Sequence, residues 1–408
     1  MAYVSMVEVR FVLDFSKMPV VDAHCHSYLE SPKIMNGSEF SRQSNVLAAP
    51  PSFLESRFKP PDYQLQRSRG RLSAMDREQV YSNLMVRWLS EFLRCKPEFD
   101  AVATARSGRA EAFDEYVREL FENVHLRGLV MDGAYPPLSD SDLIHIPAKV
   151  VKIFRLEPLI NDCLARCETF EEFCAVFDSS IRSAINDEGY VGLKTIISYR
   201  TGLKISRVEE KVARTDFRAA KSGRAEREWY GPKVKQLRDF LTVRALELSI
   251  DLDIPMQIHT GVGDYQIVLD QCDPGLLFGL LTDDKLRHAT VTLVHSGFPN
   301  NQIAAYMASV LPNVFLDFSL TIPFLNPVSH HRLMEILEIT PSSKVMYGSD
   351  GFGVPEVFWF SAKLGKRLLE KCFARFLEEK VFDENEIYRQ AERVLHKNAS
   401  ELYNVRIE

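Results

Sequence analysis

Val20-Val21-Asp22-Ala23-His24-Cys25-His26 is a short apolar run that ends in two histidines one residue apart. On a β-strand, side chains two apart share a face, so His24 and His26 can converge on one metal ion. The pair is half of a metal site. Further apolar runs downstream end in, or contain, a residue able to bind a metal: Gly192 to Ile197 with Lys194, Pro255 to His259, Val291 to His295, and Val345 to Asp350. If these runs are parallel strands of one barrel, their C-terminal ends share a rim. His24, His26, Lys194, His259, His295 and Asp350 then face one cavity.

Working outward from these runs, the chain reads as strand and helix in alternation. Strand two is expected at Gly128 to Asp132, strand three at Lys149 to Arg155, strand four at Tyr190 to Ile197 and strand five at Ile254 to His259. Strands six, seven and eight follow at Ala289 to His295, Asn313 to Phe318 and Lys344 to Tyr347. Helical spacing is expected at Phe170 to Asn186, Ser206 to Glu228, Val234 to Ile250, Asn300 to Val310 and His330 to Ile339. Eight strands alternating with helices predict an α/β fold, a (β/α)8 TIM barrel. Between strands one and two lies a long excursion, residues 27–127. Its early part is rich in proline (Ser31-Pro32, Ala49-Pro50-Pro51, Pro60-Pro61), and Pro136-Pro137 ends strand two. Its later part has apolar residues at helical spacing: Val80, Leu84, Trp88 and Phe92, then Phe113, Val117, Leu120 and Phe121. A largely helical cap is expected there, inserted in a single barrel domain that spans 1–408 and placed to close the mouth of the site.

Composition narrows the function classes. The chain carries 50 basic and 56 acidic residues, a net charge of −6, and has no sustained basic stripe, which disfavours a nucleic-acid partner. Glu8, Arg10 and Asp14 interrupt the N-terminal apolar residues, and no stretch of about 18 uncharged apolar residues occurs, so a soluble, cytoplasmic protein with no membrane partner is expected. Seven cysteines without a C-x-x-C pair match reduced thiols. Cys163, Cys167 and Cys174 fall on one expected helical segment and read as buried small hydrophobes.

Imidazole and carboxylate ligands suit Zn²⁺, and Mn²⁺ or Fe²⁺ accept the same ligand types. His24, His26 and Asp350 can hold one ion, and His259 with His295 a second, with a water made nucleophilic at neutral pH between them. Lys194 is the puzzle, because an ammonium aimed at two dications is strongly disfavoured. Carboxylation by CO₂ would turn it into a carbamate, an anionic bridging ligand; the alternative is an ordinary lysine reaching for the mouth or for a substrate carboxylate. At the rim, Arg155 and Glu157 after strand three and Arg200 after strand four are candidate substrate contacts. The planar fork of arginine matches a carboxylate, so an anionic group on the substrate is expected, although either arginine can instead pair with Glu157 or Asp132.

The set His24-x-His26, Lys194, His259, His295 and Asp350, in that order, resembles the amidohydrolase superfamily with its binuclear site and carbamylated lysine. The stretches Gln257-Ile258-His259-Thr260-Gly261-Val262-Gly263-Asp264, Asn313 to Ser319 and Tyr347-Gly348-Ser349-Asp350 further resemble its amidohydrolase-2 branch, most of all the domain found fused to glutamine-synthetase-like domains. The resemblance implies that Asp350 takes the proton of the attacking water and passes it to the leaving group. It implies a metal-dependent hydrolase of a small amide or related C–N bond, and by analogy with the fused ligases a γ-glutamyl amide. Two other readings stay open: a mononuclear metal-dependent decarboxylase of a small carboxylic acid, against which Lys194 counts, and a non-catalytic scaffold or regulatory barrel. A homo-oligomer is compatible with the sequence.

Overall fold

The eight expected runs pair in parallel, in chain order, as one sheet. They are β1 (Val20–His26), β2 (Leu126–Asp132), β3 (Lys149–Arg155), β4 (Tyr190–Thr195), β5 (Met256–His259), β6 (Val291–Val294), β7 (Val314–Asp317) and β8 (Val345–Met346). This computed structural model describes residues 13–28, 34–47, 74–134, 143–222, 234–264 and 266–407. The seam between the last strand and the first is closed by backbone hydrogen bonds: Ala23 N–H donates to the Tyr347 carbonyl (2.9 Å), Asp350 N–H to the His24 carbonyl (3.0 Å) and His26 N–H to the Gly351 carbonyl (2.7 Å). The fold is therefore a (β/α)8 barrel, as the strand count predicts. The β1–β2 register slips between Asp22 and Cys25, the residues that bracket His24.

Several strands are shorter than their apolar runs because the chain leaves the ladder for other partners. After Thr195 the Glu157 carboxylate takes the Ile196 N–H at 2.8 Å, and a 3-10 turn follows over Ile197–Tyr199. After β8 the chain bonds to β1 through Asp350 and Gly351 instead of continuing along β7. Most of the strands are buried from both sides, as parallel strands covered by helices are: Val291, Leu293 and Val294 are fully inaccessible, whereas in β3 only Ile153 is buried. At one end of the barrel Val21, Ala23, Val130, Ile153 and Met346 pack on Ala399, Tyr403 and Val405 of the C-terminal segment. Tyr403 Oη there lies 3.2 Å from Gln257 Nε2 and 2.8 Å from Thr292 Oγ1. That end is plugged, which leaves the opposite rim for a site.

Helices Phe170–Asn186, Lys235–Asp251, Asn301–Val310 and His331–Ile339 form close to their expected positions. Within the expected Ser206 to Glu228 stretch the helix is Glu210–Lys221; residues 223–228 lie outside the described residues, as do Ser31-Pro32, Ala49 to Pro51, Pro60-Pro61 and Pro136-Pro137. The three cysteines do not share one helix: Cys163 is on Leu156–Arg166, Cys167 ends that helix, and Cys174 is on Phe170–Asn186. Thr169 separates them, its hydroxyl accepting from Glu172 N–H to start the second helix. Among the described residues no helix is long and apolar enough to cross a membrane.

The excursion between β1 and β2 contributes helices Gly37–Gln43, Val80–Leu93, Phe99–Ser107 and Phe113–Asn123. Their apolar residues meet the helix Pro355–Glu378, which opens with proline in its first turn, where no N–H is needed. Trp88 packs on Phe360 with ring centroids 5.2 Å apart and Phe92 on Trp359 at 5.5 Å. Inside this contact Arg106 Nε donates to Glu356 Oε1 at 2.5 Å, and Tyr116 Oη donates to the same oxygen at 3.1 Å. Glu356 is fully buried and Arg106 is 3% exposed. Removing one partner from such a pair strands a charge away from water, so Arg106→Ala should lower the unfolding free energy by about 3–5 kcal/mol. Denaturant titration of the variant beside the double variant Arg106→Ala/Glu356→Gln, which removes the stranded carboxylate and should cost less than Arg106→Ala alone, checks this.

Candidate metal centre

The seam hydrogen bond from Asp350 N–H to the His24 carbonyl sets the end of β8 against the end of β1. Across it, Asp350 Oδ1 lies 3.4 Å from His24 Nε2 and 3.5 Å from His26 Nε2. The three ligand-type atoms all lie within 4.8 Å of one another. Four ligands at about 2.1 Å from a zinc-like ion stand about 3.4 Å apart at tetrahedral angles, so the spacing fits a divalent ion. Asp350 occupies the left-handed region at φ +52°, and His295 does so at φ +69°. Asp and His are among the residues that tolerate it, and such strain collects at functional sites.

Lys194 and the other two histidines complete the rim. Lys194 Nζ is 3.1 Å from His24 Nε2, and the side chain is 1% exposed. The His24 and His295 rings are 5.5 Å apart, and those of His259 and His295 4.5 Å. Each of the latter two commits one nitrogen to the protein. His259 Nε2–H donates to the Val262 carbonyl at 3.1 Å, which leaves Nδ1 as its free lone pair. His295 Nδ1–H donates to Ser319 Oγ at 2.8 Å, and Ser319 Oγ–H donates in turn to Asp317. His295 Nε2 is thereby left free, the arrangement that fixes a ligating imidazole in one tautomer. The Nδ1 atoms of His24 and His26 are buried and find no partner among the described residues.

Burial sets the protonation states. It pulls His24 well below the usual imidazole range, with the Lys194 charge acting in the same direction, and it pulls His259 down likewise, with His295 adding to it. His295 is lowered to about 4, burial again the main cause. Lys194 is lowered to about 8 by burial, against the pull of Asp132. For Asp350 burial works upward, but the field of His295 and the hydrogen bonds of His24 and His26 outweigh it and hold the carboxyl well below its ordinary value. The result is neutral imidazoles around a carboxylate, the donor set a divalent cation takes.

The substrate-contact candidates fare differently. Arg155 donates from Nε to Asp132 Oδ2 at 2.7 Å and also pairs through its second nitrogen, so the structural ion pair is formed. Glu157 Oε1 accepts from Thr195 Oγ1 at 2.7 Å and from Ile196 N–H, which holds the end of β4; its buried Oε2 has no partner among the described residues. Arg200 is half-buried beyond Tyr199, and burial lowers its guanidinium against the opposing charge of Glu157. Sequence reading missed the roles of Asp22, Asp317 and Ser319. Asp22 accepts from Ser349 N–H at 2.9 Å, from Ser349 Oγ–H and from His24 N–H at 3.2 Å, a side-chain clamp on the seam; burial raises it to about 8. The signal was available in Asp22-x-His24 and Asp317-x-Ser319, polar residues set two apart inside otherwise apolar runs.

Residues 206–405 match the amidohydrolase family model. Those residues belong to the amidohydrolase family. Protein fluG of Emericella nidulans is 29% identical over 253 residues, 60% of this chain and 29% of that protein, so the chain spans less than a third of its curated relative. A Lactobacillus casei protein assigned to the metal-dependent hydrolases superposes with a TM-score of 0.79 at 22% identity, covering 95% of this chain and 96% of its own. The uronate isomerase of Bacillus halodurans gives 0.62 at 14% identity, covering 96% and 94%. These likenesses share the barrel fold. The amidohydrolase resemblance read from the sequence is thus borne out.

The loop over His259 depends on a residue without a side chain. A Cβ at Gly263 would lie 1.9 Å from Tyr199 Oη and 2.8 Å from His259 Nε2. Gly263→Ala should therefore displace both rings and cost about 1–3 kcal/mol of stability. Gly279, with nothing within 4 Å of such an atom, is the control. Thermal unfolding of the two variants tests the contrast.

Proposed function

We propose that this amidohydrolase barrel is a metal-dependent hydrolase of a small amide or related C–N bond. The observation that carries the reading is the group His24 Nε2, His26 Nε2 and Asp350 Oδ1 at ligand spacing, with Lys194 Nζ 3.1 Å from His24. In this reading His24, His26 and Asp350 hold one ion and His259 Nδ1 with His295 Nε2 a second. Zn²⁺ suits these ligands. Lys194 lies among them as a carbamate; its amine is buried and drawn toward the neutral form that reacts with CO₂. Bound divalent ions polarise the scissile carbonyl and bring the pKa of water toward neutrality.

The chain's own groups then act as follows. Asp350, kept ionised, accepts the proton of the attacking water. Ser319 and Asp317 hold His295 in one tautomer. Arg200 is the candidate for a substrate carboxylate, and a γ-glutamyl amide offers one. The helices of residues 27–127 are read as a cap; they meet the helix that starts five residues after Asp350. A second reading is favoured by the fact that only three His or Asp residues gather at ligand spacing among the described residues. That arrangement suits one ion, as in the decarboxylase alternative.

Metal content separates the two. Fully active protein should carry about two divalent ions per chain; chelation should abolish activity and added metal restore it. Lys194→Ala should lose activity together with one ion while its melting profile survives, and a small carboxylic acid should recover part of the metal binding. Elemental analysis with steady-state kinetics on one preparation decides: full metal occupancy in Lys194→Ala removes the carbamate, and one ion in the active wild type moves the reading to single-ion chemistry.

A further inference from the structure

The two histidines assigned to the second ion are held in different ways. His295 is fixed by the barrel: its backbone N–H bonds Asp317 at 3.2 Å, its Nδ1–H reaches Ser319 Oγ at 2.8 Å, and both partners, at the end of β7 and just beyond it, are fully buried. His259 has no such side-chain partner among the described residues. Its Nε2–H goes instead to the Val262 carbonyl, three residues further along its own loop. Whether Nδ1 of His259 keeps its lone pair for a metal therefore depends on where residues 260–264 run.

Three bonds set that path beyond Thr260. Gly261 N–H donates to the Cys272 carbonyl at 2.7 Å and Val262 N–H to the Phe298 carbonyl at 2.8 Å. Asp264 N–H donates to Tyr199 Oη at 2.8 Å. The first two acceptors are backbone, so of the three only the last belongs to a side chain. Tyr199 also reaches the start of the loop, because its ring packs on the His259 ring with centroids 4.6 Å apart. Between these two contacts the chain passes so close that a Cβ at Gly263 would meet both Tyr199 Oη and His259 Nε2. One side chain, 6% exposed, thus touches the imidazole and the backbone that orients it.

Tyr199 is placed in turn by the end of β4. Its N–H closes a turn onto the Ile196 carbonyl at 2.9 Å, and the Glu157 carboxylate holds Ile196 N–H at 2.8 Å. The Ser198 carbonyl accepts from Cys272 Sγ at 3.6 Å, and it is the Cys272 carbonyl that takes Gly261 N–H. The turn that follows Lys194 and the loop that follows His259 are therefore one bonded unit.

We propose that Tyr199 is a positioning residue for the second ion: by bonding Asp264 N–H while it packs on the His259 ring, it holds the Val262 carbonyl against Nε2–H and keeps Nδ1 free as a ligand. The proposal rests on the two-ion form of the hydrolase reading and deepens it. It makes the two ions unequal. The ion at His24, His26 and Asp350 depends on the seam bonds, whereas the ion at His259 and His295 depends also on a loop that one hydroxyl anchors. Partners behind a ligand act by fixing which nitrogen presents its lone pair and in what direction. A tyrosine that only filled space would act through its ring, and phenylalanine would replace it.

Tyr199→Phe is the test, since it keeps the ring and removes the hydroxyl. Metal-free protein is titrated with Zn²⁺ against a chromophoric chelator, and the protonated nitrogen of His259 is read by ring-nitrogen NMR on the same metal-free sample. The wild type should take up two ions and carry the His259 proton on Nε2. In Tyr199→Phe one of the two dissociation constants should rise about 10–100-fold, the other should change by no more than about twofold, and the Nδ1–H form of His259 should appear. The melting profile should stay cooperative. Unchanged affinity for both ions, an unchanged His259 tautomer, or an equal loss at both ions, as a general loosening of the barrel gives, would each overturn the assignment while the hydrolase reading stands. A wild-type His259 protonated on Nδ1 overturns it whatever the variant does. A wild type that takes up one ion overturns the two-ion reading and the assignment with it.

Discussion

The seam between β8 and β1 is the constraint on which the site depends. A parallel barrel must join its last strand to its first, and here β8 contributes two residues before the chain turns. The closure is carried instead by the next five residues, Tyr347 to Gly351, bonding to Ala23, His24 and His26. Because the bonded backbone atoms belong to the candidate ligands or their neighbours, closing the barrel and bringing Asp350 to the two histidines are one event. Asp22 reinforces it by taking two hydrogen bonds from Ser349 and one from the His24 backbone. Such bonds cost little to keep and much to lose, since an unpaired buried amide or carboxyl has no water to turn to.

Once closed, the rim is dry, and dryness selects which groups carry charge. Imidazoles at His24, His259 and His295 are driven neutral, and the amine of Lys194 is drawn the same way, because burial penalises the cationic form first. Asp132 keeps its charge because Arg155 sits against it. The low dielectric that would make cations at these positions expensive is therefore what leaves their lone pairs available. The left-handed backbone at Asp350 and His295 is held by its surroundings: Asp350 by the seam bond, His295 by the bond from its N–H to Asp317 at 3.2 Å.

The barrel was legible because apolar runs of strand length recur with helical spacing between them, and the run ends carry the candidate ligands. Strand order and parallel pairing follow from that pattern alone. What escaped is of two kinds. The helix Pro355–Glu378 was not anticipated because Pro355 to Ala362 are buried without a break, so no single apolar stripe marks it. The supporting polar residues were not anticipated because their partners are distant in sequence: Asp22 meets Ser349 across 327 positions and Glu356 meets Arg106 across 250. Arg155 and Glu157 were legible as rim residues, yet their partners Asp132 and Thr195 belong to neighbouring strands, and only the parallel register brings them together.

The same seam explains why the long excursion follows the first strand. With β1 and β8 adjacent, the chain leaving His26 and the chain leaving Asp350 emerge side by side. They remain paired past the barrel end, with Tyr28 bridged to Gly353 and Gly353 N–H donating to the Ser27 carbonyl at 3.0 Å. Helices inserted after β1 thus meet the helix that starts at Pro355 without crossing any other βα loop. The Arg106–Glu356 pair locks that meeting one residue inside the helix and six residues beyond Asp350. The insertion's position in the sequence therefore brings it against the segment just beyond Asp350, where Arg106 meets Glu356.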